Sequence, residues 1–231
     1  MTEKEKMLLG ELGTKKHKFN ANVVELRLET EKDYRVVEVL TREAFWNVHV
    51  PGCDEHLLVH SLRKAKEFIR ELDFVAVADE KIVGNIMYAK AKIIDSEKEY
   101  AVLTFGPVSV LPEYQNKGIG AKLINHTIQL AKEMGYKAIL IYGDPEYYKR
   151  FGFKVSKEYN VTNKEGKYPA ALLALELFSG ALSGVEGVFE EGKAYEIDGK
   201  ELEEFEKGFE EKAKLRTKSQ ERFEEMVNSQ C

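Results

Sequence analysis

Residues Val108 to Gly120, VSVLPEYQNKGIG, decide the fold of this chain. A β-branched run stops at Pro112, and a glycine-bearing loop opens directly into a helix. The apolar positions of that helix, Ile119, Leu123, Ile128, Ala131 and Met134, recur at helical spacing before Gly135. Strand, glycine loop and helix N-terminus together make a seat for an anion. The first N–H groups of a helix lack partners and stand at the positive end of its dipole, so a diphosphate binds there with no lysine or arginine strictly required. At Gly118 and Gly120 a side chain would block the approach of the backbone to the phosphates or resist an unusual φ. A dinucleotide fingerprint competes for this spacing, but it needs a third glycine where Leu123 stands.

Working outward, Ala138 to Tyr142, AILIY, reads as a buried strand that Gly143-Asp144-Pro145 breaks. A short helix with Tyr147, Tyr148 and Phe151 follows, ahead of Gly152-Phe153. Upstream, Val23 to Leu28 alternates as a first strand. Thr30 to Asp33 is a helix start leading to Val36, Val37, Val39, Leu40 and Phe45. Pro51-Gly52 interrupts, and Asp54 opens a second helix with Leu57, Leu58, Leu62 and Ile69. Phe74 to Val77 and Ile82 to Tyr88 flank a hairpin turn at Ala78 to Lys81, a charged loop spans Asp95 to Lys98, and Tyr100 to Val110 is the fourth strand. Ala170 to Leu177 supplies a late strand. Beyond Phe178 come glycine-rich turns and a charged run from Lys200, where Leu202, Phe205 and Phe209 share one helical face. Such a narrow stripe predicts a helix docked on the same chain or on a dimer mate.

The order Gln115-Asn116-Lys117-Gly118-Ile119-Gly120 resembles the Q/R-x-x-G-x-G/A signature by which the GNAT superfamily of N-acetyltransferases holds the pyrophosphate of acetyl-CoA. Tyr148 stands four residues before Gly152, like the tyrosine of the Y-x-x-x-G-F element of those enzymes, and the run GDPEYYKRFGF resembles one bacterial branch. The resemblance implies an α+β (α/β) chain with the GNAT acyltransferase fold: a central mixed, mainly antiparallel twisted sheet flanked by helices. It covers residues 23–178 as the acetyltransferase domain. Residues 1–22 are then an N-terminal extension, polar and loose or helical, and 179–231 a C-terminal helical extension.

The family likeness also implies roles. The backbone of Val108, Ser109 and Val110 would pair with the pantetheine arm and supply an oxyanion donor from a distorted fourth strand, for which Gly106-Pro107 suits the break. Gln115, Asn116, Lys117, Gly118, Ile119, Gly120 and Ala121 would hold the diphosphate. Tyr148 would protonate the departing thiolate, with reference pKa values of ~10 for the phenol and ~8.5 for the thiol. Generic members carry asparagine where this chain offers Asp144. For the base that frees the attacking amine, Glu99 and Asp144 are the candidates, with Glu43 weaker. Three histidines, His49, His56 and His60, crowd the variable acceptor region, and His56 and His60 share a helical face. No H-E-x-x-H accompanies them, so capping or exposed roles are expected and no metal. Cys53 reads as a small apolar filler, and Phe45 and Trp46 either wall the acceptor pocket or anchor the helix.

Composition sets the frame. A chain of 231 residues buries one substantial core plus an appendage. The net charge of −5, with no basic stripe interleaved with aromatics, argues against nucleic acid as a partner. Two distant cysteines, Cys53 and Cys231, give no disulfide framework and suit a reducing cytoplasm. No apolar run reaches the ~20 residues of a membrane span, and MTEKEKMLLGELG lacks a secretory apolar region. The expected function is transfer of acetyl from acetyl-CoA to a primary amine of a small molecule or peptide, by direct attack on the thioester. The alternatives are a non-catalytic acyl-CoA sensor or, since MTEKEKMLLGEL resembles the opening of sugar O-acetyltransferases, an O-acetyltransferase.

Overall fold

The computed structural model describes residues 24–96 and 98–229, so the N-terminal extension and Cys231 lie outside the described residues. The strands are β1 Glu25–Leu28, β2 Phe74–Ala78, β3 Lys81–Asp95, β4 Lys98–Val110, β5 Ala138–Tyr142, β6 Lys154–Val155, β7 Val161–Thr162, β8 Leu172–Glu176 and β9 Gly187–Glu190. They form one sheet in the order β1-β2-β3-β4-β5-β8-β6, with β9 pairing both β3 and β7. Along the main path every neighbour is antiparallel except β4 and β5, which run parallel. The mixed, mainly antiparallel sheet expected from the sequence is therefore present. At the β2–β3 hairpin both central residues, Asp79 and Glu80, take positive φ (50 and 63), the geometry that matches a two-residue turn to strand twist.

Alternation splits the strands between two cores. In β5, Ile139 and Ile141 join the larger cluster while Ala138 and Leu140 join the smaller, as side chains one residue apart must face opposite sides. The larger core is covered by α1 Tyr34–Phe45, α2 Glu55–Leu62 and α3 Ile119–Glu133, which bury Val37 and Leu40, Leu57 and Leu62, and Leu123 and Ile124. The smaller core is closed by Val161, Leu182 and Phe189 from the chain beyond α4 Pro145–Tyr148. Among the described residues no helix is long and apolar enough to cross a membrane.

The C-terminal charged run differs from its expectation. It forms two helices, α5 Gly199–Glu206 and α6 Lys218–Asn228, and Phe209 lies past the end of the first. Asp198 caps α5 by accepting from the N–H groups of Lys200 and Glu201. Thr217 and Gln220 form a capping box at α6. The stripe docks on the same chain. Phe205 packs on His56 and His60 with ring centroids 5.4 and 4.8 Å apart, and Arg35 lies 3.8 Å over the Phe209 ring. Beneath them Arg42, 1 % exposed, donates to Glu206 at 2.7 Å. His56 stands 2.9 Å from the same carboxylate, so this histidine anchors the extension. Among the described residues no group of three or more His, Cys, Asp or Glu is placed to hold a metal. Trp46 also serves the extension, donating its indole N–H to Ala213 O at 3.0 Å. Farther back, β9 adds to β3 with Ile93 opposite Phe189, so residues after Phe178 share the central sheet.

Candidate active site

The site begins where β4 leaves its neighbours. Ile86 pairs with Val108 and Tyr88 with Phe105, so Met87 faces both Gly106 and Pro107, a bulge in β4. On its other side β4 is in register with β5 at Leu103 and Ile139, and among the described residues that ladder goes no further. Past the bulge the two parallel strands diverge, and the β4 backbone from Gly106 to Val110 borders a gap.

The glycine loop closes one end of that gap. Gly118 is the N-cap residue of α3 with φ +83, a left-handed conformation that L side chains rarely adopt, and a Cβ there would meet open space. No side chain caps this helix start and no acidic residue occupies its first turn. The N–H groups of Ile119, Gly120 and Ala121 are thus aimed outward at the positive end of a 15-residue helix. Gln115 donates from Nε2 to Val110 O at 3.1 Å, which ties the loop back to β4. Ser109 between Val108 and Val110 is fully buried, its hydroxyl 3.0 Å from Thr41 Oγ1, and it is Val108 and Val110 that border the gap.

Tyr148 stands at the other end. Asp144 begins α4 by accepting the Glu146 N–H at 2.9 Å, and Pro145 takes the first helical position, where its missing N–H costs nothing. The Tyr148 ring is held by Phe105 and Phe153 at 5.9 and 5.7 Å and by Tyr147 at 5.0 Å. It also lies against Gly143: a Cβ at that residue would come within 2.3 Å of the ring. Burial foremost, with Tyr147 and Asp144 nearby, pushes the Tyr148 phenol well above its ordinary value, so it carries its proton.

Two cavities meet at this tyrosine. One, about 460 Å³, runs between Val108, Val110, Gln115, Gly118 and Gly120 and takes in Arg150. The other, about 490 Å³, opens on the far side between Leu58, Pro107, Tyr142, Phe223 and Met226. Phe45, Val48, Val108, Tyr147 and Tyr148 border both. A wider groove of about 990 Å³ lies along β9, and several of its lysines pair with its glutamates, such as Lys164 with Glu196 at 3.0 Å and Lys92 with Glu190 at 3.7 Å.

Of the two carboxylates singled out from sequence as bases, one lies away from both cavities and the other is already engaged. Glu99 sits at the outer start of β4, exposed, and accepts from Lys92 at 2.8 Å. Nine residues of extended strand, roughly 30 Å, separate it from Val108. Asp144 is at the cavity mouth but is engaged twice, as the α4 cap and by Arg222 at 2.6 Å. Glu43 binds Lys212 of the extension at 2.9 Å. The structure brings in a carboxylate that sequence reading missed, Glu191, just after β9. It accepts from Thr104 Oγ1 at 3.4 Å and borders the acceptor-side cavity with Tyr148. Burial pushes it up to about 7, against the pull of the Thr104 hydrogen bond and Lys164. Nothing in Glu190-Glu191-Gly192 distinguishes it from a surface charge run; only the pairing of β9 with β3 makes it internal.

Residues 70–155, which contain the bulge, the glycine loop and Tyr148, match the family described as Acetyltransferase (GNAT) domain. The chain carries a GNAT acetyltransferase domain. It is 26% identical over 166 residues to the uncharacterized N-acetyltransferase YhbS of Escherichia coli strain K12, covering 71% of this chain and 94% of that protein. It is 31% identical over 97 residues to the uncharacterized N-acetyltransferase YjhQ of the same strain, covering 42% and 54%. Among solved structures, a Brucella melitensis GNAT acetyltransferase in complex with acetyl-CoA superposes with TM-score 0.61 at 27% identity, over 74% of this chain and 97% of that one. The E. coli YhbS structure in complex with CoA gives TM-score 0.68 at 22% identity, over 80% and 97%. The break in β4, the uncapped start of α3 and the tyrosine between two cavities all lie within the matched residues.

Proposed function

We propose that this GNAT domain moves acetyl from acetyl-CoA to the primary amine of a small molecule or peptide, in a reducing cytoplasm, with no covalent enzyme intermediate. One observation carries the reading: Tyr148 borders both the cavity that ends on the uncapped start of α3 and the cavity on the acceptor side. The diphosphate belongs at the N–H groups of residues 118–121, with Gln115 and Asn116 shaping the loop, Lys117 flanking it and Arg150 adding a cation to the same cavity. The pantetheine arm then takes the place of the missing β5 partner along Val108 to Val110.

In that pose the thioester carbonyl lies at the bulge, where a backbone N–H near Val108 meets the oxygen as it gains charge. The neutral amine attacks the carbonyl carbon and the C–N bond forms. The C–S bond then breaks, and the leaving sulfur takes the Tyr148 proton. A raised phenol is no obstacle to this transfer, since the apolar surroundings that disfavour the phenolate disfavour the thiolate too. The tyrosine recovers a proton from the nitrogen of the new amide.

The test is thiol release from acetyl-CoA across a panel of amines and alcohols, with the product identified by mass. Amine-dependent release with matching N-acetyl product is the expected result. Tight acetyl-CoA binding with no acceptor-dependent release would make the chain a sensor, and release with alcohols alone would make it an O-acetyltransferase.

A further inference from the structure

The acceptor-side cavity is walled in part by residues beyond the matched domain: Glu191, Tyr195, Arg222, Phe223 and Met226. Most of its other ionisable groups are engaged with one another. Arg222 binds Asp144 at 2.6 Å, and Glu55 binds His49 at 2.9 Å. His49 in turn stacks on Phe223 with ring centroids 4.3 Å apart. Glu191 stands apart from these pairs. Its hydrogen bond is the long one from the Thr104 hydroxyl, and Lys164, the nearby cation, is turned to Glu196 at 3.0 Å. The carboxylate of Glu165 and the phenols of Tyr142 and Tyr195 share its surroundings, and Tyr195 donates to Gly106 O at 3.4 Å, at the β4 bulge itself. A half-buried carboxylate that has no ion-pair partner among the described residues, in a cavity whose apolar walls include Phe45, Leu58, Pro107, Phe223 and Met226, is complementary to a cation on an apolar body.

We propose that Glu191 receives the ammonium group of the acceptor and takes its proton, and that the acceptor is a primary amine on an apolar or aromatic body. This rests on the acetyltransferase reading above. About 490 Å³ is room for a small-molecule amine of that kind. The proton balance closes. Of the three protons on the ammonium, Glu191 accepts one and passes it to solvent. A second ends on the CoA sulfur by way of Tyr148, and the third stays on the amide. The C–N bond forms as the C–S bond breaks, and nothing is oxidised or reduced. Burial sets the direction of the first step: it raises the carboxylate, to about 7, and lowers an ammonium from its ordinary ~10.4, so the two approach each other. A base of this kind comes from the extension, while the acid Tyr148 comes from the matched domain.

The test compares the full chain with Glu191→Gln, using 2-phenylethylamine and spermidine as probes, thiol release as the rate and calorimetry for acetyl-CoA. Wild type should prefer 2-phenylethylamine, with kcat/KM rising as pH passes about 7 and Glu191 ionises. Glu191→Gln should bind acetyl-CoA as wild type does, lose about 10²-fold in kcat/KM and lose that limb of the profile. Unchanged rate and pH profile in a variant that still binds acetyl-CoA overturns the role of Glu191. Preference for spermidine, or turnover of neither amine, overturns the acceptor class. Failure of wild type to bind acetyl-CoA would instead strike the acetyltransferase reading itself.

Discussion

Single residues in this molecule do work that depends on atoms a few ångströms away. Tyr148→Phe keeps the ring contacts with Phe105 and Phe153 and removes only the hydroxyl. Acetyl-CoA affinity should hold while kcat falls about 10²-fold, read by single-turnover kinetics. Gly118→Glu should act oppositely, with coenzyme binding abolished in calorimetry and the fold retained by circular dichroism. The new carboxylate enters the open space in front of the α3 start and a left-handed φ of +83 must be kept. Both residues were visible as candidates in the sequence because each belongs to a contiguous motif, in which spacing along the chain is spacing in space, and both border one cavity. Glu191 was not. Its chemistry comes from burial beside Thr104, which exists only once β9 has paired with β3 across a long stretch of chain. Glu99 lies away from the cavities for the converse reason: it stands at the open end of a long hairpin, and the part of the same strand that borders the cavities, at Val108, is far along it.

At the scale of elements, the sheet and its covering helices read well, because alternating apolar residues and glycine or proline breaks are local signals. The C-terminal run read poorly. Its dense charge concealed two short helices separated by residues 207–217, and each is held by tertiary contacts rather than propensity. Glu206 is the chief contact. Burial alone would raise its carboxyl, but hydrogen bonds from His56 and Arg42 overcome that and hold it at about 2. Because the folded value is depressed below the ordinary 4.5, the stability it lends is present above pH 4.5 and is lost as pH falls towards 2. Trp46, the one tryptophan, reports this directly through its bond to Ala213. Its fluorescence should shift in that pH window as α5 releases. Asp33, held at about 2 foremost by Arg27, titrates in the same window at the start of α1. Glu206→Gln separates the two: it leaves buried Arg42 without a counter-charge, should cost about 3 kcal/mol in urea denaturation, and should leave the indole already shifted at neutral pH.

Seen whole, the molecule is a sheet opened along one seam, with the extension bound back over the acceptor side of that seam. The five residues that border both cavities, Phe45, Val48, Val108, Tyr147 and Tyr148, include no serine or cysteine to hold an acyl group. The described cysteine, Cys53, is buried, and burial holds its thiol protonated. A partition that thin, with an entrance on each side, has a consequence for the order of events. Neither reactant needs to leave before the other enters, and neither passes through the other's doorway. Initial velocities measured at several fixed acceptor concentrations should therefore give double-reciprocal lines that intersect, as for a ternary complex, and not the parallel lines of a carrier that is loaded and then discharged.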